Sequence, residues 1–132
     1  MTSATSPRTR LGVALLALVL ATVLVSVLLP NTTLAWMREN WSWFNRPMLW
    51  IEDSRSMFNL VHAILFALLG MATALALPRW RAGRVLLALL LLGLLTEGLQ
   101  LLVPGRHARL SDVAVDVVAG LLGWMLARIV VR

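Results

Sequence analysis

Four long apolar runs alternate with shorter polar segments along the chain. The runs cover about residues 11–29, 58–77, 84–103 and 112–131. A helix of about 20 apolar residues is long enough to cross the hydrocarbon core of a bilayer. Because the last three runs are joined by short connections, consecutive helices should be antiparallel neighbours. The pattern predicts an all-α membrane protein, an antiparallel bundle of four transmembrane helices that forms a single membrane domain over residues 1–132.

The first run follows a short polar tail that contains Arg8 and Arg10. A cleaved signal peptide is an alternative interpretation, since Thr33-Leu34-Ala35 offers a weak small-x-small cleavage site. The apolar region of a signal peptide usually has only about 7–15 residues, however, and the run at 11–29 is longer. We therefore expect a retained membrane helix.

The connection between the first two runs is rich in tryptophan. Proline disfavours helical geometry in the residue before it. Arg46-Pro47 therefore argues against one continuous helix here. We expect two short interfacial pieces instead. An aromatic belt at the membrane surface is the simplest interpretation, and a ligand-stacking platform is the alternative. The connection holds four of the six tryptophans of the chain: Trp36, Trp41, Trp43 and Trp50.

Composition narrows the functional classes. Of the 132 residues only 14% are charged and 60% are hydrophobic, whereas a soluble domain carries about 25% charge. The sequence has no cysteine, so it offers neither a disulfide nor a thiolate site. Its net charge of +6 suits cytoplasmic anchoring and contact with anionic lipid headgroups. No basic face with interleaved aromatics lies on a soluble element, which argues against nucleic-acid binding.

The placement of arginine predicts the orientation, because cytoplasmic segments are enriched in basic residues. With the N-terminus inside, both termini are cytoplasmic and the Trp-rich connection lies outside. The expected cytoplasmic arginines are Arg8, Arg10, Arg79, Arg81, Arg84 and Arg132. On the outer side, acids offset the arginines of the first connection locally: Arg38, Arg46 and Arg55 beside Glu39, Glu52 and Asp53. Arg106 and Arg109 also lie outside and go against the trend, so the bias is modest.

Polar residues gather where the third run ends and the fourth begins. Glu97 and Gln100 are spaced to share one face of the third helix, and Asp112 and Asp116 to share one face of the fourth. Pro104-Gly105 between them is a turn signal. Ser111 is placed to be the N-cap of the fourth helix. The stretch predicts a helical hairpin whose polar tip is lined by Arg106, His107 and Arg109.

Because successive helices run in opposite directions, these residues should lie at the same depth in the membrane as Asn59 and His62 of the second helix. A carboxylate in lipid costs several kcal/mol unless it is paired or hydrated. We therefore expect Glu97 to face the bundle and to find a cation among His62, Arg106 and Arg109. The predicted cluster in the outer leaflet comprises His62, Glu97, Gln100, Arg106, Asp112 and Asp116.

These motifs resemble the signature of the VanZ-like family over about residues 58–128, in the family's order and spacing. The resemblance rests on His62 in the second run, Glu97-x-x-Gln100, Pro104-Gly105-Arg106, Ser111-Asp112-x-x-x-Asp116, and Gly120-x-x-Gly123. It implies a small multi-helix protein of a bacterial plasma membrane, and the family's namesake is associated with low-level resistance to teicoplanin. Asp116 departs from the family pattern, which usually has asparagine there. Aspartate adds a negative charge at this position. Either Asp116 is therefore protonated, or Arg106 or Arg109 compensates its charge.

Three functional hypotheses follow. In the first, an outward-facing pocket binds a cell-envelope lipid or a glycopeptide-type ligand. In the second, a small intramembrane enzyme acts on a lipid-linked envelope substrate, with His62, Glu97, Asp112 and Asp116 as catalytic candidates. In the third, the chain is a structural accessory subunit held by a buried ion-pair network. No established metal signature is present, so we expect no metal and no cofactor. The candidate ligand-binding residues are His62, Glu97, Gln100, Arg106 and Arg109.

Overall fold

The computed structural model describes residues 7–43, 55–104 and 108–130, and within those ranges the chain is helical without any strand. The helices are α1 (Pro7–Leu28), α2 (Asn31–Asn40), α3 (Arg55–Ala76), α4 (Ala82–Gln100) and α5 (Leu110–Val130). The all-α class is thus confirmed. Three helices, α1, α4 and α5, are long and apolar enough to cross a membrane. The apolar stretch of α3 is shorter, Leu60–Ala76, so a fourth span remains a prediction.

Helix α4 ends at Gln100, three residues before the end expected from the apolar run. Pro104 explains the difference, since it disfavours helical geometry in the residue before it. The chain leaves α4 through turns in which the amides of Leu102 and Val103 donate to the carbonyls of Leu99 and Gln100. Glu97 therefore lies in the last turn of α4, at the end of the helix.

Helix α5 begins at Leu110, so Ser111 lies inside the first turn and the expected N-cap role of Ser111 is wrong. The Ser111 hydroxyl instead donates to Oδ1 of Asp112 at 3.1 Å. The amide of Asp112 donates to the carbonyl of Arg109 at 3.0 Å. Asp112 thus stands in the first turn of α5, where the positive end of the helix dipole favours a carboxylate.

Helices α3 and α5 run parallel and form the most extensive helix pair. They approach closely because glycine lies at the crossing. A Cβ atom on Gly70 would collide with the backbone of Gly120, and one on Gly123 would collide with the backbone of Ala67. Small residues allow such backbone contact between helices in lipid.

The other two long helices run antiparallel to this pair. Helix α1 packs chiefly on α3, with Gly12 against Leu75, and α4 packs chiefly on α5, with Gly93 against Val113. The ends of α1 and α4 and the starts of α3 and α5 therefore lie at one end of the molecule. We name this the acidic end, after Glu97, Asp112 and Asp116. The buried apolar core between the helices comprises Val23, Val27, Phe66, Leu69, Val85, Leu89 and Ala119.

The opposite end, named here the arginine-rich end, contains Arg79, Arg81, Arg84 and Arg128. Arg128 links two elements there. Its guanidinium lies 5.3 Å from the ring centroid of Trp124 and donates to the carbonyl of Pro78 at 2.5 Å. The contact fixes the end of α5 to the turn between α3 and α4.

Helix α2 does not pack against any other helix in the described ranges. Around its C-terminus, Trp36 and Trp41 meet edge to face with ring centroids 6.0 Å apart, and Trp41 and Trp43 stack at 5.7 Å. All three side chains are exposed. The first part of the Trp-rich connection is therefore a short helix that carries exposed indoles. Trp50 and Arg46-Pro47 lie outside the described residues, so the second interfacial piece stays a prediction.

Candidate functional site

Polar side chains are buried at the acidic end, where α3, α4 and α5 meet. The accessible fraction is 5% for Glu97, 2% for Gln100, 4% for Asp112 and 0% for Asp116. All four lie on the inward faces of α4 and α5, among otherwise apolar positions. Because an ionised group in a membrane-spanning helix costs several kcal/mol unless it is paired, the partners of these side chains decide what the site can do.

Asp116 is paired with His62 of α3. Nδ1 of His62 lies 3.2 Å from Oδ1 and 3.5 Å from Oδ2 of Asp116. With Asp116 ionised, its carboxylate can only accept a hydrogen bond, and the imidazole is then the donor. The side chain of His62 keeps 13% of its surface accessible. The partner of Asp116 among the described residues is therefore His62. The sequence had suggested protonation of Asp116 or compensation by Arg106 or Arg109, and Arg106 lies outside the described residues.

Glu97 connects α4 to the segment that precedes α5. Its Oε2 accepts a hydrogen bond from the backbone amide of Arg109 at 2.6 Å. Its Oε1 is also buried and has no hydrogen-bond partner among the described residues, which do not include Arg106 and His107. Arg109, one of the three cations expected as partners of Glu97, thus contributes its main chain, and its side chain is exposed. Arg106, another of the three, lies outside the described residues.

The ionisable groups of the cluster lie within electrostatic range of one another. The imidazole of His62 interacts with the carboxylates of Glu97, Asp112 and Asp116. Glu97 in turn interacts with Asp112 and Asp116. In the part of the chain that the structure describes, the acidic end thus contains three buried carboxyl groups and one imidazole. Like charges at such range resist joint ionisation unless a cation or a proton compensates them.

No group of three or more histidine, aspartate and glutamate side chains is placed to hold a metal ion within the described ranges. The cluster offers two other kinds of chemistry. A carboxylate oxygen can accept a hydrogen bond from a ligand, and a histidine oriented by a carboxylate can exchange protons.

The structure brings most of the site residues predicted from the sequence together, and it does not describe Arg106 and His107. His62, Glu97, Asp112 and Asp116 form the cluster, with Gln100 buried one turn from Glu97. Arg109 lies at the rim with its side chain exposed. Arg106, with the neighbouring His107, lies outside the described residues. Whether any of these residues binds a ligand or catalyses a reaction stays a prediction.

Two features of the structure had no signal in the sequence. The backbone amide of Arg109 supplies the hydrogen bond to Glu97, and side-chain spacing says nothing about such a donor. Towards the arginine-rich end, the indole Nε1 of Trp124 is buried without an acceptor among the described residues, although Trp124 stands in an apolar run where only packing was expected.

Comparison with known proteins agrees with the motifs. The VanZ/LLP1 family model matches residues 13–131, which include α1 as well as the region that carries the motifs. No curated protein and no solved structure gives a significant match to the chain.

Proposed function

The chain belongs to the VanZ/LLP1 family, and from this premise we propose that its acidic-end cluster binds a cell-envelope lipid or a glycopeptide-type ligand. Helices α1, α4 and α5 have the length and composition of membrane spans. We take α3 as a fourth span, because α3 packs along α5 and places His62 beside Asp116. The proposed protein is therefore a multi-pass membrane protein with a four-helix bundle and a polar site near one surface.

The observation that carries the proposal is the unsatisfied oxygen of Glu97. Ionisable groups inside a membrane mark functional sites by default. A purely structural network would be expected to satisfy its buried acceptors, since a half-satisfied polar network is less stable than an apolar core. Oε1 of Glu97 is buried, and none of the residues in ranges 7–43, 55–104 and 108–130 donates to it. This favours a binding site over an accessory subunit held only by ion pairs.

Arg109 is proposed to hold the anionic part of the ligand. Its guanidinium is exposed, and its backbone is fixed to Glu97. A guanidinium presents its N–H donors in a planar fork that matches a phosphate or a carboxylate. Arg106 belongs to the same proposal because it stands only three positions earlier in the chain. The two arginines would recognise charge while the buried cluster recognises the rest of the headgroup.

The orientation belongs to the proposal as well. We place the arginine-rich end in the cytoplasm, where Arg79, Arg81 and Arg84 would face anionic headgroups. The acidic end and the exposed tryptophans of the α2 segment then lie on the outer side. Cell-envelope ligands of bacteria, including lipid-linked precursors and glycopeptides, would reach the cluster from that side.

Mass spectrometry of lipids that copurify with the protein tests the binding function. Wild type should retain a ligand that Arg109→Ala and Arg106→Ala lose. Arg79→Ala removes an exposed arginine at the opposite end and is the matched control, so this variant should retain the ligand. Equal retention in wild type and all three variants would contradict the proposal, and so would equal loss in all three.

The pair of His62 and Asp116 supports a second candidate function, an intramembrane enzyme that acts on a lipid-linked envelope substrate. A histidine held through Nδ1 by a carboxylate is the arrangement that orients an imidazole for acid–base catalysis. Glu97 would be the second proton-exchanging group. Incubation of the purified protein with envelope lipid extract separates the two functions. Catalysis consumes a lipid in a reaction that His62→Ala abolishes, whereas binding leaves the composition of the extract unchanged.

A further inference from the structure

We propose that the ligand of the acidic-end cluster carries a primary ammonium group next to a phosphate, and that the ammonium donates a hydrogen bond to Oε1 of Glu97. The inference rests on the proposed binding function and adds the chemical class of headgroup that the site accepts. It depends on three observations: an acceptor without a donor, an excess of buried carboxylates, and an exposed guanidinium at the rim.

The acceptor sets the first requirement on the ligand. Glu97 is 5% accessible, and the described part of the chain supplies a donor to only one of its two oxygens. Oε1 receives no hydrogen bond from any described residue, although a buried carboxylate oxygen that stays unsatisfied carries its full desolvation cost. Glu97 lies in the last turn of α4, next to the exposed Leu101 and Leu102. A donor could therefore enter from the end of the bundle, at the depth of a lipid headgroup.

Charge sets the second requirement. Among the described residues of this end, Glu97, Asp112 and Asp116 are buried, and the one histidine, His62, is hydrogen-bonded to Asp116. A neutral hydroxyl would satisfy the acceptor but would leave the excess of negative charge. A cationic donor does both, because hydrogen bonds with an ionised donor and acceptor are the stronger kind. A quaternary ammonium carries the charge but has no N–H, so it cannot satisfy Oε1.

Arg109 sets the third requirement. The backbone amide of Arg109 donates a hydrogen bond to the carboxylate of Glu97. The residue that orders this carboxylate therefore also carries the exposed guanidinium. A ligand that reaches Glu97 with a cation can place an anion beside Arg109, provided that a short linker joins the two charges. Ethanolamine phosphate has this form. It occurs both as the headgroup of a phospholipid and in soluble glycerophosphoethanolamine.

Competition between lipids with identical acyl chains tests the inference. The delipidated full-length protein is incubated in detergent with equal amounts of phosphatidylethanolamine and phosphatidylcholine, and bound lipid is counted by native mass spectrometry. Wild type should prefer phosphatidylethanolamine by about tenfold or more, because phosphatidylcholine has the charge without the N–H donors. N-acetylated phosphatidylethanolamine, which lacks the cation, should bind as weakly as phosphatidylcholine.

Glu97→Gln should abolish the preference. The glutamine keeps an oxygen for the amide of Arg109, but it replaces the second acceptor with an N–H₂ donor and removes the charge. Glu39→Gln makes the same change at an exposed position on α2 and should leave the preference intact. If Glu97→Gln does not fold, the comparison of the three lipids on wild type still decides the question.

The outcomes distinguish this inference from the proposed function. Equal retention of all three lipids by wild type would overturn the ammonium while leaving lipid binding in place. If wild type retains none of them, nor phosphatidylglycerol, lipid binding fails and the inference fails with it. If wild type prefers phosphatidylethanolamine, competition with added glycerophosphoethanolamine shows whether the site recognises the phospholipid or the soluble headgroup compound. Displacement of the lipid shows that the headgroup alone is recognised, and lack of displacement shows that the acyl chains are also needed.

Discussion

Among the described residues, Asp116 has one side-chain partner, His62. It has no accessible surface, and its carboxylate lies against the imidazole of His62 at 3.2 Å. A carboxylate buried at this position must be compensated by a cation or by a hydrogen-bond donor. A side chain on a different helix meets that need. The pair therefore joins α3 to α5 at the acidic end.

His62→Ala should destabilise the protein by about 3–5 kcal/mol, because it leaves the carboxylate of Asp116 buried without its donor. Asp116→Asn should be tolerated, since the amide oxygen can still accept from the histidine. The double variant His62→Ala, Asp116→Asn should regain much of the lost stability. Thermal midpoints in detergent measure all three. A double variant no more stable than His62→Ala would refute the role assigned to the pair.

At the level of helices, the approach of α3 to α5 positions His62 beside Asp116. Gly70 and Gly123 allow backbone contact at that crossing, where a Cβ atom would meet a carbonyl group. The separation of the two helices therefore controls both the packing and the geometry of the site.

Gly123→Ala should destabilise the protein by about 1–3 kcal/mol, because the added methyl forces the two backbones apart. Gly98→Ala is the matched control, since a Cβ atom there meets nothing within 4 Å. It should be neutral or slightly stabilising, as alanine favours helix formation over glycine. Thermal unfolding in detergent compares the two variants. If both have the same midpoint, close packing at the crossing contributes little.

The sequence predicted the helices well and their contacts less well, for physical reasons. Long apolar runs locate helices to within a few residues, and Pro104 accounts for the early end of α4. The partner of Asp116 depended on the rotation of α3 about its axis, which glycine contacts with α5 determine. The partner of Glu97 is a backbone amide, which no side-chain pattern reveals. The spacing of residues along the chain thus predicted which residues lie close together, but not which atoms form hydrogen bonds.

For the whole molecule, the two ends differ in charge. The acidic end holds the buried carboxylates, whereas the turn at the other end carries Arg79, Arg81 and Arg84. Alternating helix directions place the turn before α4 and the connection after it at opposite ends. If α4 crosses the membrane, these two connections face different compartments.

Reporter fusions after Arg81 and after Arg106 should therefore report opposite sides, with Arg81 in the cytoplasm. Alkaline phosphatase and green fluorescent protein fusions measure this, since the first is active only outside and the second is fluorescent only inside. Two fusions on the same side would rule out a four-span topology.

The central claim is that the acidic end binds a ligand and is more than a structural network. Arg109→Lys tests it directly, because lysine keeps the charge and the backbone amide but loses the planar fork of donors. Folded yield and ligand retention are measured on the same preparation, beside Asp112→Ala, which should lower both. The account predicts a wild-type yield for Arg109→Lys, with retention reduced by about tenfold, since one bidentate contact is lost. Wild-type retention, or a yield that falls as far as in Asp112→Ala, would contradict it.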